Sequence, residues 1–339
     1  MRSILGINSE ELKDILIEKG YERYRARQII EWIYDKAVLD FYSMSNLPKE
    51  LRSFLSNNFS IIPFDLVIYA QDEETIKFVF KTEDNLTFES VVIFHHNRIT
   101  LCLSSQIGCP IGCKFCATGE SFYRNLTYEE MIGQYIFAKS YVKKDIRSVV
   151  FMGMGEPFLN EENVFRVIDT FIQELNISPR HITVSTSGIP RGIINLAHKH
   201  PKVRLAFSLW APDERKRESL VPLADTYKLE IILKSLKEYV SITGNRISVE
   251  YTLLKGINDG IDDAHRLVEL FKDVPVFFNI ILYNPKDRDT AIYRTSIEEA
   301  LRFVDLIKTL GKEAYLRISK GERISGACGQ LRTAYERSK

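Results

Sequence analysis

Three cysteines crowd into the segment SSQIGCPIGCKFCATG, where Cys109, Cys113 and Cys116 stand in a Cys-x3-Cys-x2-Cys spacing. The segment follows a strand-like run, ITLCLSS, and precedes a helix start marked by Thr127 and Glu130, a pair with capping-box spacing. Five cysteines is an odd number, and three of them in one loop fit metal ligation in a reducing compartment better than a disulfide framework. Three thiolates cannot saturate an iron–sulfur cubane, so one iron stays open to another ligand. The plainer alternative is a structural zinc site completed by His95, His96 or another cysteine, although zinc ligands usually come as two separated clips.

The surrounding pattern places this loop in an α/β protein. Residues 1–60 read as a small helical accessory domain, with Asn8 and Glu11 as a cap, an apolar stripe at Ala26, Ile29, Ile30 and Ile33, and Pro48 as the first residue of a third helix. Residues 61–97 form a strand-rich connector. From 98 to 318, β-branched runs such as SVVFMGMG, HITVSTSG, VRLAFSLW, RISVEYTLLKG and VFFNIILYNP alternate with helical patterns, the signature of parallel βα units. A full or partial barrel follows, and chemistry in such barrels sits at the C-terminal strand ends. Residues 319–339 form a tail.

Several polar residues share that rim. Gly155 and Glu156 lie in the Gly-Met-Gly-Glu-Pro turn after the second barrel strand, where glycine lets backbone approach a ligand and a carboxylate can meet an ammonium. Ser185, Ser208 and Asn284 end the third, fourth and sixth strands. A formal net charge of +1 excludes the simple picture of a uniformly basic nucleic-acid binder, so any RNA surface must be local. Lys320, Arg323 and Arg332 in the tail, with Arg191 and Lys199, are candidates for phosphate contacts; Arg337, Lys339 and Glu336 continue the tail. No apolar run approaches the roughly 20 residues of a membrane span and the start lacks signal-peptide features, so the expected location is cytoplasmic.

With TLCLSSQIGCPIGCKFCATG, FYRNLT, FMGMGEP, ITVSTSG and GACGQL in order, the chain resembles the RlmN/Cfr family of radical S-adenosylmethionine (SAM) RNA methyltransferases over nearly its whole length. The resemblance implies a partial (β/α)6 radical SAM barrel holding one 4Fe–4S cluster on Cys109, Cys113 and Cys116, with SAM as the second cofactor. It implies SAM contacts from Gly155, Glu156, Ser185, Ser208, Leu209, Trp210 and Asn284. It also accounts for the two remaining cysteines: Cys328 matches the cysteine that is methylated on sulfur, and Cys102 the one that later attacks it, leaving a disulfide. Glu89 matches the proposed proton acceptor. The implied reaction is methylation of adenosine C2 in 23S rRNA and tRNA by a monomer that draws electrons from a donor such as flavodoxin or ferredoxin.

The chain departs from the family pattern at Ser208-Leu209-Trp210, where the family usually has histidine third, and at Ile93-Phe94-His95-His96. Pro157 after Glu156 resembles the C2-methylating members; the alternative is Cfr-like methylation at C8. A reading of another class is a zinc-containing RNA-binding protein without catalysis.

Overall fold

The computed structural model describes residues 1–286 and 292–332. Its first element, β1 (Arg2–Ser3), pairs in parallel with β2 (Phe59–Ser60) and so closes the N-terminal unit. Between them lie α1 (Ser9–Glu18), α2 (Tyr24–Tyr34) and α3 (Lys49–Asn58). The Asn8 side chain caps α1 by accepting from the Glu11 N–H at 2.9 Å. Pro48 takes the cap position of α3, one residue before the helix proper. Leu12, Leu16, Ala26, Ile29, Ile33, Leu51 and Leu55 turn inward, as their helical spacing requires.

The centre is a mixed ten-stranded sheet. β3 (Phe64–Gln71), β4 (Thr75–Thr82), β5 (Thr87–His95) and β6 (Arg98–Cys102) run as an antiparallel meander. A separate two-stranded hairpin follows, β7 (Gln106–Gly108) with β8 (Phe122–Asn125), and the cysteines lie in its loop. The chain then enters α4 (Tyr128–Val142) and β9 (Ser148–Phe151), which pairs in parallel with β6.

Helix and parallel strand alternate from there. α5 (Glu161–Gln173) leads to β10 (Ile182–Thr186), α6 (Pro190–Lys199) to β11 (Arg204–Ser208), and the pair α7 (Glu214–Leu220) and α8 (Leu229–Thr243) to β12 (Ile247–Leu253). α9 (Ile261–Leu270) leads to β13 (Val276–Leu282) and α10 (Ile297–Thr309) to β14 (Ala314–Arg317). The order β14-β13-β12-β11-β10-β9-β6 is a partial barrel of six βα units closed by a seventh parallel strand. Capping boxes at Thr127/Glu130 and Ser296/Glu299 start α4 and α10 as their spacing predicts. No helix among the described residues is long and apolar enough to cross a membrane.

Helix α4 joins the meander to the barrel. Phe78 meets Phe137 edge-on at 5.3 Å and Tyr141 at 5.0 Å, and Phe80 meets Phe137 at 5.1 Å. Each fully buried phenylalanine contributes about 1.5–3 kcal/mol over an exposed one. The same helix buries a polar residue, Gln134. Its Oε1 accepts from the Ser104 N–H at 3.0 Å and its Nε2 donates to the Ser104 carbonyl at 3.1 Å, which satisfies the backbone where β6 gives way to the cysteine loop. Arg124 on β8 donates to Glu130 at the start of α4 and to Asp84 in the β4–β5 turn. The loop's two arms are thus tied to the barrel. Gln134→Leu keeps the size but strands two buried backbone groups. We expect a loss of about 2–4 kcal/mol in denaturant unfolding, and a change within about 0.5 kcal/mol would show that these bonds do not hold the loop's entrance.

Candidate functional site

The cysteine loop is shaped by its turn residues. Gly108 has φ +76°, and a Cβ there would sit 2.1 Å from the Ser121 carbonyl oxygen, so only glycine lets β7 and β8 close at this bulge. The Cys109 N–H donates to that same carbonyl at 2.8 Å, the Lys114 N–H to Leu220 O at 3.1 Å, and the Ala117 N–H to Gly329 O at 2.8 Å. Ile111, Phe115, Leu220, Val221, Leu254 and Tyr283 pack around the loop as a small apolar cluster separate from the main core. The three thiols line one cavity at the C-terminal strand ends. Burial pushes each of them up, and mutual repulsion adds to the effect at Cys113.

The same cavity is lined by Gly155, Glu156, Ser185, Ser208, Trp210, Asn284 and Cys328. Gly155, at φ +102°, lets the Gly-Met-Gly-Glu turn approach Gln106, whose side chain accepts from the Glu156 N–H at 2.8 Å. The Glu156 carboxylate is 2% exposed and accepts from the Ser187 N–H at 2.7 Å and the Phe158 N–H at 3.2 Å. Burial outweighs these donors and pushes its pKa up to about 7. Ser185 and Ser208 hydroxyls bond each other at 3.1 Å. Leu209 differs from the other expected contacts: its side chain is fully buried in the main core and its N–H donates to Glu250 O at 3.0 Å, so neither group faces the cavity.

The cavity holds polar groups without partners. Trp210 Nε1, Tyr283 OH and Asn284 Oδ1 are buried with no hydrogen-bond partner among the described residues, and all three residues line it. Such groups call for a polar ligand, since leaving each unpaired costs about 1–3 kcal/mol. A buried carboxylate, an N–H donor and an amide oxygen in the same cavity as three thiols fit an amino acid derivative beside an iron–sulfur cluster. Among the described residues no group of three or more His, Cys, Asp or Glu is placed to hold a single metal ion.

Cys328 lines this cavity and also a second one, which contains Cys102. The segment around it is laid down by four contacts. Asn284 Nδ2 donates to the Cys328 carbonyl at 3.1 Å, Thr118 Oγ1 to Leu331 O at 2.6 Å, Ala117 N–H to Gly329 O, and the Arg332 N–H to Glu89 Oε2 at 3.2 Å. Glu89 lines neither cavity. It is 1% exposed beneath this segment, paired with Lys77 at 3.3 Å, and burial raises its pKa. All five cysteines are free, so the Cys102–Cys328 disulfide that the resemblance implies is not a standing bond of this structure. Burial pushes the Cys102 thiol up to about 12, with Cys328 adding to the rise and Arg317 opposing it.

Two residues at this junction were missed in the sequence. Arg317 on β14 pairs with Glu250 on β12 at 3.1 Å, and both line the two cavities. Their only signal is a charged residue at an inward position of an otherwise apolar strand. The proposed RNA-contact residues are dispersed. Lys320 lines the second cavity, whereas Lys199, on α6, faces a separate groove with Glu161, Glu162 and Asp169. Arg337, Lys339 and Glu336 lie outside the described residues.

The raised Glu156 pKa gives a pH test on the ligand-free protein. A carboxyl whose folded pKa exceeds its unfolded value costs nothing below about pH 4.5 and destabilises progressively as pH rises through about 7. We expect wild type to lose on the order of 3 kcal/mol across this window relative to Glu156→Gln. Parallel pH profiles of the two proteins would contradict a carboxylate whose burial outweighs its two N–H donors.

Comparison with known proteins agrees with this architecture. Residues 3–61 match the family described as ribosomal RNA large subunit methyltransferase N-terminal domain, and residues 103–271 the radical SAM superfamily. A protein of Thermotoga petrophila named probable dual-specificity RNA methyltransferase RlmN is 46% identical, with 98% of each chain covered. One of the same name from Dictyoglomus thermophilum is 41% identical over 100% of this chain and 99% of that one. The crystal structure of a radical SAM methyltransferase from Sphaerobacter thermophilus superposes with a TM-score of 0.94 at 38% identity, covering 98% of this chain and 100% of the other. The chain belongs to the RlmN family of radical SAM RNA methyltransferases.

Proposed function

We propose that this protein methylates C2 of adenosine in 23S rRNA and tRNA, with Cys328 carrying the methyl group. The observation that carries the reading is the position of Cys328 between two cavities, one walled by Cys109, Cys113 and Cys116 and the other holding Cys102. The relatives' name, dual-specificity RNA methyltransferase, supports two RNA substrates. Adenine C2 lies between two ring nitrogens, is electron-poor and has no acidic proton, so transfer of a methyl cation is closed to it. A reduced 4Fe–4S cluster with bound SAM supplies a 5′-deoxyadenosyl radical, the one-electron reagent such a carbon requires.

The chain's own residues do the rest. Cys109, Cys113 and Cys116 would hold the cluster, and with three protein ligands it would keep a position for SAM. Glu156 pairs with the methionine ammonium, while Ser185, Ser208, the Trp210 indole N–H and Asn284 Oδ1 meet the other polar groups. Leu209 supports this wall from the core side. Cys328 sulfur would take a methyl cation from one SAM and lose its thiol proton, and that methyl would lose a hydrogen atom to the radical from a second SAM; the carbon would add to the adenine ring, and the adduct would give up the ring proton and one electron, the electron returning to the oxidised cluster. Cys102 thiolate would then attack the Cys328 sulfur and break its bond to carbon; the carbon would leave with the bond pair and take a proton to become the new methyl group, and an external thiol would reduce the disulfide left behind. Arg317, which lines both cavities, opposes the rise that burial imposes on the Cys102 thiol. Glu89 takes the ring proton; because its carboxylate lies beneath the Cys328 segment, this role includes relay across that segment. Electrons come from a flavodoxin- or ferredoxin-type donor.

The two thiols separate by role. Cys328→Ala should keep SAM binding yet form no bond to RNA, whereas Cys102→Ala should trap RNA covalently on Cys328. Denaturing gels, nuclease digestion and peptide mass spectrometry read both outcomes. Normal turnover by Cys102→Ala, or an adduct elsewhere, would overturn the two-thiol scheme. Nucleoside mass spectrometry of rRNA and tRNA from a deletion strain distinguishes C2 from C8.

A further inference from the structure

Helix α7 packs against the cysteine loop, and it turns one full charge inward. Arg215 and Glu218 on this helix are exposed, and Lys216 is half-buried and pairs with Asp263 at 2.6 Å. Arg217, by contrast, is 1% exposed. Its Nη1 donates to the Tyr227 carbonyl at 2.7 Å and to Glu214 Oε1 at 3.2 Å. Its Nη2 is buried with no hydrogen-bond partner among the described residues. A guanidinium carries its donors in a rigid fork, so burying one arm of it without an acceptor is costly, and that cost calls for a compensating negative charge.

The cysteine loop is where such a charge would sit. Leu220 and Val221, one turn beyond Arg217, pack with Ile111, Cys113 and Phe115. The Leu220 carbonyl accepts from the Lys114 N–H at 3.1 Å. Gly112, at φ +70°, brings the loop against Pro222, whose Cγ would lie 3.5 Å from a Cβ added at that glycine. The Arg217 guanidinium is thereby within Coulombic reach of the Cys113 sulfur. Glu214, the carboxylate bonded to Arg217, has a side chain 32% exposed against 2% for the arginine, so water screens the negative partner more than the positive one. The field that this pair presents to the loop is positive.

Three thiolates leave an oxidised 4Fe–4S cluster with a net negative charge, and one-electron reduction adds another. A fixed cation in a poorly solvated position lowers the free energy of the more negative state by more than that of the less negative one. The apolar side chains around the loop act in the opposite sense, since they cannot solvate the added charge. We infer that the buried Arg217 guanidinium stabilises the reduced form of a cluster held on Cys109, Cys113 and Cys116, and so sets the potential at which this site accepts an electron. The inference rests on the cluster reading and adds to it a group outside the cysteine loop.

The test is a redox titration of the anaerobically reconstituted full-length chain without SAM, with dithionite as reductant and the electron paramagnetic resonance of the reduced cluster as readout. Arg217→Met keeps much of the side-chain length and removes the charge. With iron and sulfide at wild-type content, its reduced-to-oxidised ratio at a fixed potential is expected to fall about tenfold or more, a midpoint lowered by about 59 mV or more for one electron. Arg217→Lys is expected to keep the wild-type midpoint. Glu214→Gln keeps an acceptor for the Arg217 Nη1 and Leu229 N–H groups while removing a negative charge, so its midpoint is expected to stay or rise. Loosening of the helix would move the Met and Gln variants in the same direction, which separates charge from a merely structural role. A fully loaded Arg217→Met protein with a wild-type midpoint overturns the inference, as does a lowered midpoint in Glu214→Gln. If Arg217→Met does not take up the cluster, the loaded Arg217→Lys protein decides: a wild-type midpoint supports the inference, and a ratio reduced about tenfold or more overturns it. Wild-type protein that binds zinc and no sulfide would instead sink the cluster reading itself.

Discussion

The cysteine loop has no regular structure along most of its length, and its backbone is held by carbonyls from remote parts of the chain: Ser121 on the closing arm, Leu220 at the end of α7, and Gly329 beside Cys328. The last of these bonds is the constraint on which the site depends. It ties the loop of the three thiols proposed to hold the cluster to the segment of the proposed methyl carrier, so displacement of either segment moves the other. Thr118 to Leu331, Asn284 to Cys328 and Arg332 to Glu89 add three further anchors to the same short segment. A segment fixed at four points loses little further entropy when a ligand arrives, which is how preorganisation favours a precise reaction geometry.

The barrel beneath turns this arrangement into a two-sided device. Its C-terminal end presents the thiols, the buried Glu156 and unpartnered polar atoms, and its N-terminal end presents arginines. Cys328 belongs to both cavities, with the Arg317–Glu250 pair spanning the barrel wall beside it. Glu250 is buried and Arg317 half-buried, so desolvation offsets much of the attraction between them. Arg317 places a fixed positive charge beside Cys102, where it opposes the rise that burial imposes on that thiol.

Much of this was legible from residues that obey local rules. β-branched runs marked the parallel strands, Thr127/Glu130 and Ser296/Glu299 marked helix starts, and the spacing of Cys109, Cys113 and Cys116 marked the loop. Features that depend on tertiary packing were not. The β7–β8 hairpin has arms too short and too mixed in polarity to show a strand period, and α7 is too short to show a helical one, whereas α8 does carry a helical stripe at Leu229, Ile232, Leu236 and Tyr239 with Gly244 as its stop. Leu209 was expected at the cofactor, but the inward alternation after β11 sends its side chain to the core. Glu89 sits on a strand whose alternation places it inside without saying that the C-terminal segment covers it. Arg98, Arg180 and Arg204 line one cavity, although no local pattern connects them.

The central claim is that three thiols in one loop hold an iron–sulfur cluster with an open iron. Iron and acid-labile sulfide analysis of the anaerobically reconstituted protein tests it most directly. The expected result is about four iron and four sulfide per chain, lost when Cys109, Cys113 and Cys116 are replaced by alanine. Stoichiometric zinc with no sulfide would contradict it.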